Sequence, residues 1–282
     1  MNNYEENISI CFCINNNYSK HLGVVLTSIL YNNKNSKFKF YVLTSDLTDE
    51  NKNILESLKT KYKNFEINYI NVDKSIFKDF KLNIDYISIE TYYRYLLAKI
   101  IPNENKILYV DVDLIVNGEL NVLWNIDISK FYCAAVKEIN IDIEKYKETI
   151  DIKKDNEYIN AGVILFNLKK IREHNITEQF FINNEKYKDK ILYQDQCVIN
   201  ITLQDKIKII DNIYNFTTKL YKKDKNKIKN AKIIHFVGAK KPWKKVSFNP
   251  LKRLYYFYYL RSPYAKIRSF NDFIFCTLGL LK

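Results

Sequence analysis

The sequence predicts an α/β protein with a largely parallel central sheet. Strand-like and helix-like apolar patterns alternate over residues 8–110, which is the signature of successive βα units. Only 5 Gly and 4 Pro occur in 282 residues, leaving little room for flexible linkers. No internal repeat and no linker precede about residue 245. The expected organisation is one domain over residues 1–247 and a helical C-terminal segment over 248–282.

The elements follow in order. "NISICFCI" reads as a buried strand. It runs into polar "NNNYSKH", after which "LGVVLTSILYNN" has helical apolar spacing. "FKFYVLT" is a second strand, and "DLTDENKNILESLKTKY" an amphipathic helix with Thr48 or Asp49 as its N-cap. "FEINYINV" is a third strand, "SIETYYRYLLAKIIP" a helix stopped by Pro102, and "KILYV" a fourth strand. The second half is less regular. "YCAAV", "AGVILFNL" and "KIIHFV" read as strands, and "QDQCVINITL" as a helix. In open α/β sheets ligands bind beyond the carboxyl ends of the strands. Asn15–Tyr18, after the first strand, and Asp111–Asp113, after the fourth, are the two places that qualify.

Composition bounds the class. Hydrophobic content of 47% and charged content of 27% are ordinary for a globular protein. Five scattered cysteines do not form a disulfide framework, and Cys11 and Cys13 read as reduced core residues, so a reducing cytoplasm is expected. "MNNYEENISI" lacks the pattern of a signal peptide, and no run of about 18 apolar residues suggests a membrane span. The net charge is +13. Residues 219–282 hold 17 Lys or Arg against two acids, and residues 1–218 hold 28 against 30. The basic excess therefore lies in the last 64 residues, which points to an anionic partner.

Asp111-Val-Asp113 is the only Asp-x-Asp in the chain. In an extended segment alternate residues face the same way, so both carboxylates can reach one cation. Hard oxygen ligands suit Mg²⁺ or Mn²⁺. A basic partner, or plain solvation at a strand end, would also satisfy them. His235 closes an apolar strand ahead of Gly238 and a Lys-rich turn that includes Lys241. It reads as a third ligand or as a hydrogen-bonded core histidine. His21 and His174 lie in polar settings and read as surface residues. Asn160, Ala161 and Gly162 precede a strand, where small residues form a tight turn or let backbone approach a ligand. Asp195 and Gln196 open a helix, a position that favours an acid through the helix dipole alone. Arg94 is placed to clamp an anion or to pair with Glu90.

"CINNNYSKHLGVVLTSIL", "ISIETYYRYLLAKII", "KILYVDVDLIV", "YINAGVILFNLKK", "YQDQCVIN" and "HFVGAKKPW", in this order, resemble the retaining glycosyltransferases of family 8. The bacterial lipopolysaccharide galactosyl- and glucosyltransferases are the nearest branch. The resemblance covers about residues 8–245 and implies a GT-A fold, a UDP-galactose or UDP-glucose donor, and Mn²⁺, with Mg²⁺ as the alternative. It places Asp111, Asp113 and His235 as metal ligands. Asn15, Asn17 and Tyr18 fall in the uridine segment, and Arg94 and Val112 on the donor side. Asn160, Ala161, Asp195 and Gln196 surround the donor sugar, with Gln196 beneath the anomeric carbon. Gly238 and Lys241 form the diphosphate turn. Two positions depart from the pattern: Asn15 stands where an aspartate is usual, and Cys197 where the last motif often has an acid. Lys137 falls where some relatives carry an acceptor-side acid.

The tail "PLKRLYYFYYLRSPYAKIRSFNDFIFCTLGLLK" interleaves bases with aromatics. Such a segment suits an anionic bilayer surface, single-stranded nucleic acid, or a cap on the domain. The family context favours peripheral attachment to the inner face of the cytoplasmic membrane and a lipid-linked glycan acceptor, with no nucleic acid. The competing functions are a nucleic-acid-binding protein and a family member that has lost catalysis.

Overall fold

The computed structural model describes residues 7–139, 142–244, 247 and 249–265. The first half comprises β1 (Ile8–Cys13), α1 (Ser19–Asn32), β2 (Phe38–Thr44), α2 (Asp49–Glu56), β3 (Phe65–Asn71), α3 (Leu97–Ile100), β4 (Lys106–Val110), β5 (Leu114–Val116) and α4 (Asn121–Trp124). The second half comprises β6 (Cys133–Lys137), α5 (Ile143–Thr149), β7 (Ile159–Asn167), α6 (Leu168–Glu173), α7 (Ile176–Tyr187), α8 (Gln194–Leu203), β8 (Ile207–Ile209), β9 (Phe216–Thr217), α9 (Thr218–Lys223), β10 (Ile233–His235) and α10 (Lys252–Tyr259).

The main sheet has seven strands in the order β3-β2-β1-β4-β7-β6-β8. β1, β2, β3 and β4 run parallel, whereas β7 is antiparallel to both β4 and β6. Alternation along the strands divides the core. Ile8, Ile10 and Phe12 of β1, with Leu108 and Val110 of β4, pack under α1 and α2. Cys11, Ile107 and Tyr109 face the opposite layer, which includes α7 and α8. Burial on both faces explains why these strands read as apolar runs. A second sheet, β5-β10-β9, lies beside the first, with β10 antiparallel to β5 and parallel to β9.

The strand and helix expectations hold from β1 to β4, and Thr48 caps α2 by accepting from Asn51 N–H. One helix takes a different form. Ile89–Leu96 winds as a 3₁₀ helix, and only the short α3 follows it before Pro102. The tighter winding aligns side chains three apart. Tyr92 and Tyr95 meet at 5.6 Å within an aromatic cluster, and Arg94 is turned inward.

The described part of the C-terminal segment is packed on the domain. Tyr255 and Tyr258 of α10 are buried against α1. Tyr258 accepts from Asn32 Nδ2 at 2.7 Å, and Tyr264 lies against Gly23, where a Cβ would sit 2.6 Å from its ring. Residues 266–282 of the basic tail, Cys276 among them, lie outside the described residues. No helix among the described residues is long and apolar enough to cross a membrane.

His21 overturns its sequence reading. It is buried, its Nδ1 is 2.7 Å from the Tyr255 hydroxyl, and its ring stacks on Trp243 at 3.8 Å. The polar neighbours in sequence gave no sign that a helix some 230 positions later would cover it. His174 is exposed as expected. Burial, with Lys20 adding to it, pushes the His21 imidazole down to about 3. A histidine held neutral in the fold contributes stability above its unfolded value near 6.5 that is lost as pH falls toward 3. Urea unfolding between pH 7 and 4 should show this, with a contribution approaching about 1.4 kcal/mol per pH unit. His21→Phe should flatten that part of the profile, and an unchanged slope would refute the assignment.

Candidate active site

The Asp-Val-Asp segment is the junction between the two sheets. Asp111 follows β4, and its N–H donates to Gly162 O of β7 at 2.9 Å. Asp113 precedes β5, and its carbonyl accepts from Phe236 N at 2.9 Å, just after β10. The two carboxylates project into a cleft while Val112, between them, is turned into the core. This is the alternation expected of an extended segment.

Each carboxylate is compensated separately. Asp111 Oδ1 accepts from Tyr109 Oη at 2.7 Å and from Arg94 at 3.1 Å. Its Oδ2 faces His235 Nε2 at 3.8 Å. Asp113 Oδ1 lies 3.0 Å from His235 Nε2, and its Oδ2 is ion-paired to the buried Lys241 ammonium. Lys241 also donates to Phe236 O at 2.9 Å. Burial alone would raise the Asp113 carboxyl, but Lys241 and His235 hold it well below the usual range. Burial would lower the His235 imidazole, but Asp113 and then Asp111 carry it above its ordinary value.

One ligand atom from each of Asp111, Asp113 and His235 lies within 4.8 Å of the others. Two carboxylates and an imidazole are a donor set for Mn²⁺ or Mg²⁺. Gly162 makes the convergence possible. A Cβ at that position would stand 2.2 Å from His235 Cε1 and 2.9 Å from Asp111 Oδ2. Its smallness serves the approach of these two side chains.

The cleft encloses about 730 Å³, within the range of small-molecule sites. Every residue that the sequence put in the site lines it, except Asn17. Asn17 is exposed and takes part through its backbone N–H, which donates to Asn15 Oδ1. Asn15 Nδ2 points the other way, to Ser88 Oγ at 3.3 Å and Glu90 Oε2 at 3.2 Å. Glu90 is buried. An aspartate at position 15 would face that carboxylate with another negative charge, so Asn15 and Glu90 are matched.

Arg94 does not pair with Glu90. Its buried guanidinium donates to Ala161 O at 2.7 Å, to Thr91 and to Asp111, and stacks over the Tyr109 ring at 3.8 Å. It is also 3.2 Å from Asp195 Oδ2. Among the described residues that oxygen accepts no hydrogen bond, because the nearby Nε–H is donated to Thr91 O. Burial pushes the Asp195 carboxyl up to about 6, against the pull of Arg94 and Thr91. Gln194, with φ at 40°, turns the chain into α8 and sets Asp195 and Gln196 at its start. Gln196 Oε1 accepts from Ala161 N at 3.0 Å. Cys197 points away from the cleft, with its thiol among Tyr146, Tyr158 and Tyr193 N. The thiol is accommodated in the core.

Several lining residues were not legible in the sequence. Lys137 points outward to Glu157, and it is Glu138 that lines the cleft. Glu138 accepts from Asn160 Nδ2 at 2.9 Å. Asn215, 1% exposed, sits between Asn160 and His235. The exposed side chains of Lys219 and Lys222 on α9, with Lys240, stand at the cleft mouth. Only the local basic excess hinted at them.

A sequence model of glycosyl transferase family 8 matches residues 9–247. The chain belongs to glycosyl transferase family 8. A Haemophilus influenzae protein is 37% identical over 251 residues, covering 85% of this chain and 74% of that one. A lipopolysaccharide 1,2-glucosyltransferase of Escherichia coli is 30% identical over 256 residues, covering 84% and 74%. The galactosyltransferase LgtC, crystallised with donor and acceptor sugar analogues, superposes with a TM-score of 0.81 at 27% identity, covering 90% of this chain and 96% of that one. The mixed seven-stranded sheet is that of the GT-A fold.

The close approach at Gly162 yields a direct check on the metal site. Gly162→Ala should weaken Mn²⁺ binding on the order of tenfold or more, as displaced ligand geometry does elsewhere. Electron paramagnetic resonance titration of Mn²⁺ against folded protein measures it. Unchanged affinity would mean that Asp111 and His235 do not converge on a cation.

Proposed function

We propose that this family 8 protein is a metal-dependent retaining transferase that moves galactose or glucose from a UDP-sugar to a glycan hydroxyl, forming an α linkage. The observation that carries this is the convergence of Asp111, Asp113 and His235 beside Lys241 in a cleft of nucleotide-sugar size. The similarity to a lipopolysaccharide glucosyltransferase and to LgtC supports the hexose.

Asp111 Oδ2, Asp113 and His235 Nε2 would hold Mn²⁺ or Mg²⁺. When bound, such an ion neutralises charge developing on the diphosphate leaving group. Arg94 and Tyr109 hold Asp111 Oδ1 and so leave Oδ2 turned to the site. Gly238, with φ at +81°, lets the chain turn so that Lys241 comes beside the diphosphate. Asn15 and Tyr18 line the end of the cleft assigned to uridine, and Asn160 and Ala161 flank the sugar. Asp195 receives sugar hydroxyls. Gln196, oriented by Ala161 N–H, presents its carbonyl dipole beneath the anomeric carbon and supports cationic character there. The acceptor hydroxyl attacks the anomeric carbon from the face that UDP leaves, as the bond from that carbon to the diphosphate oxygen breaks, and its proton passes to an oxygen of the departing diphosphate.

On the acceptor side, Thr218 Oγ1 is buried without a hydrogen-bond partner among the described residues, and Lys219, Lys222 and Lys240 ring the mouth. We assign them to an anionic, lipid-linked glycan at the inner face of the cytoplasmic membrane, reached with help from the basic tail.

A UDP-release assay over UDP-galactose, UDP-glucose and other UDP-sugars tests this reading. One donor should be turned over with Mn²⁺, chelator should abolish turnover, and Asp113→Ala should lower it on the order of 100-fold or more. An acceptor arm compares anionic and neutral glycolipids on vesicles and expects the anionic one to be preferred. Failure to cleave any donor, or full activity in Asp113→Ala, would refute the transferase reading.

A further inference from the structure

We infer that Asn215 is a positioning residue for the His235 ligand, the middle link of a one-directional hydrogen-bond chain that fixes which ring nitrogen is free to bind a cation. This rests on the metal-dependent reading of the site. The chain begins at groups whose polarity cannot be reversed. Glu138 is a carboxylate and only accepts; the Gly162 backbone N–H only donates. Asn160 spans them, with Nδ2 at 2.9 Å from Glu138 Oε2 and Oδ1 at 3.0 Å from Gly162 N. Its amide can be placed only one way.

Asn160 Oδ1 therefore accepts from Asn215 Nδ2 at 2.8 Å. That places Asn215 Oδ1 toward His235 Nδ1 at 2.9 Å. A carbonyl oxygen cannot donate, so Nδ1 carries the hydrogen. Without a cation, Nε2 also carries a hydrogen, donated to the Asp113 carboxylate; when a cation takes that proton's place, Nδ1–H stays with Asn215 and the lone pair sits on Nε2. This is the nitrogen facing Asp113 Oδ1 at 3.0 Å and Asp111 Oδ2 at 3.8 Å. Asn215 is 1% and His235 3% exposed, so solvent does not compete for these bonds. The opposite tautomer would turn an N–H toward the cation position and set two acceptors against each other at Asn215. Outer groups that hold ligating histidines typically contribute 10–100-fold in metal affinity.

The test reads metal binding and the tautomer directly, apart from transfer. Asn215→Leu should weaken Mn²⁺ binding by about 10–100-fold in a paramagnetic resonance titration. Asn215→Asp, which still accepts from Nδ1–H but loses the bond donated to Asn160 Oδ1, should lose clearly less affinity than Asn215→Leu. Equal losses in both variants, or Leu within twofold of the parent, would overturn the inference. Should Asn215→Leu fail to fold, ¹⁵N NMR of the unmodified protein in Mg²⁺ and UDP decides. The chain has three histidines, and substituting His21 and His174 assigns the third. His235 should show a protonated Nδ1, and a protonated Nε2 would overturn the inference. If Asn215→Leu loses Mn²⁺ while no UDP-sugar is cleaved, the positioning role stands and the transferase reading falls.

Discussion

Two carboxylates cannot be brought together in a largely buried cleft without positive charge between or around them. That constraint organises the molecule. Asp111 and Asp113 share a segment with one residue between them, and each is compensated from a different direction. Arg94 reaches Asp111 from the 3₁₀ helix that precedes α3, and Lys241 reaches Asp113 from the turn after β10. His235 lies against both. One oxygen of Asp111 is thereby left turned to a position that a divalent cation can fill, in a site already close to electrical balance.

The two-sheet architecture supplies the directions. Because the chain passes from β4 into β5 at Val112, it leaves one sheet and joins the other within three residues. Strand β7 closes the first side and brings Gly162 against the ligands; β10 closes the second and delivers His235. Asp195 and Gln196 at the start of α8 approach from the remaining side, tied back through Arg94 and Ala161. Much of the polar lining belongs to one connected network. Substitution at Arg94 would therefore disturb Asp111, Asp195 and the β7 backbone together, and its effects would not add to those of its neighbours.

Residues whose role depends on local pattern were legible in the sequence. The apolar strands, the Asp-x-Asp at a strand end and the Gly-Lys turn after His235 announce themselves through periodicity and residue type. Residues whose role depends on distant partners were not. His21 reads as surface because its cover, Tyr255 and Trp243, comes from the far end of the chain. Asn215 sits in "NIYNFTTK", which has no feature that marks a histidine's partner. Glu138 and Lys137 are neighbours, and an irregularity in the pairing of β6 with β7 between Ala135 and Lys137 decides which faces the cleft. Asn15 donates to the buried Glu90, seventy-five positions later, a partner that nothing in the local sequence announces.

The proposed chemistry requires a single cation held between the two sheets. Crystals soaked in Mn²⁺ and UDP, measured at the manganese absorption edge, test it without any assay of transfer. The expected result is one anomalous peak within about 2.3 Å of oxygens from both Asp111 and Asp113 and of His235 Nε2. A peak elsewhere in the cleft, or none there while Lys241 stays on Asp113, would contradict it.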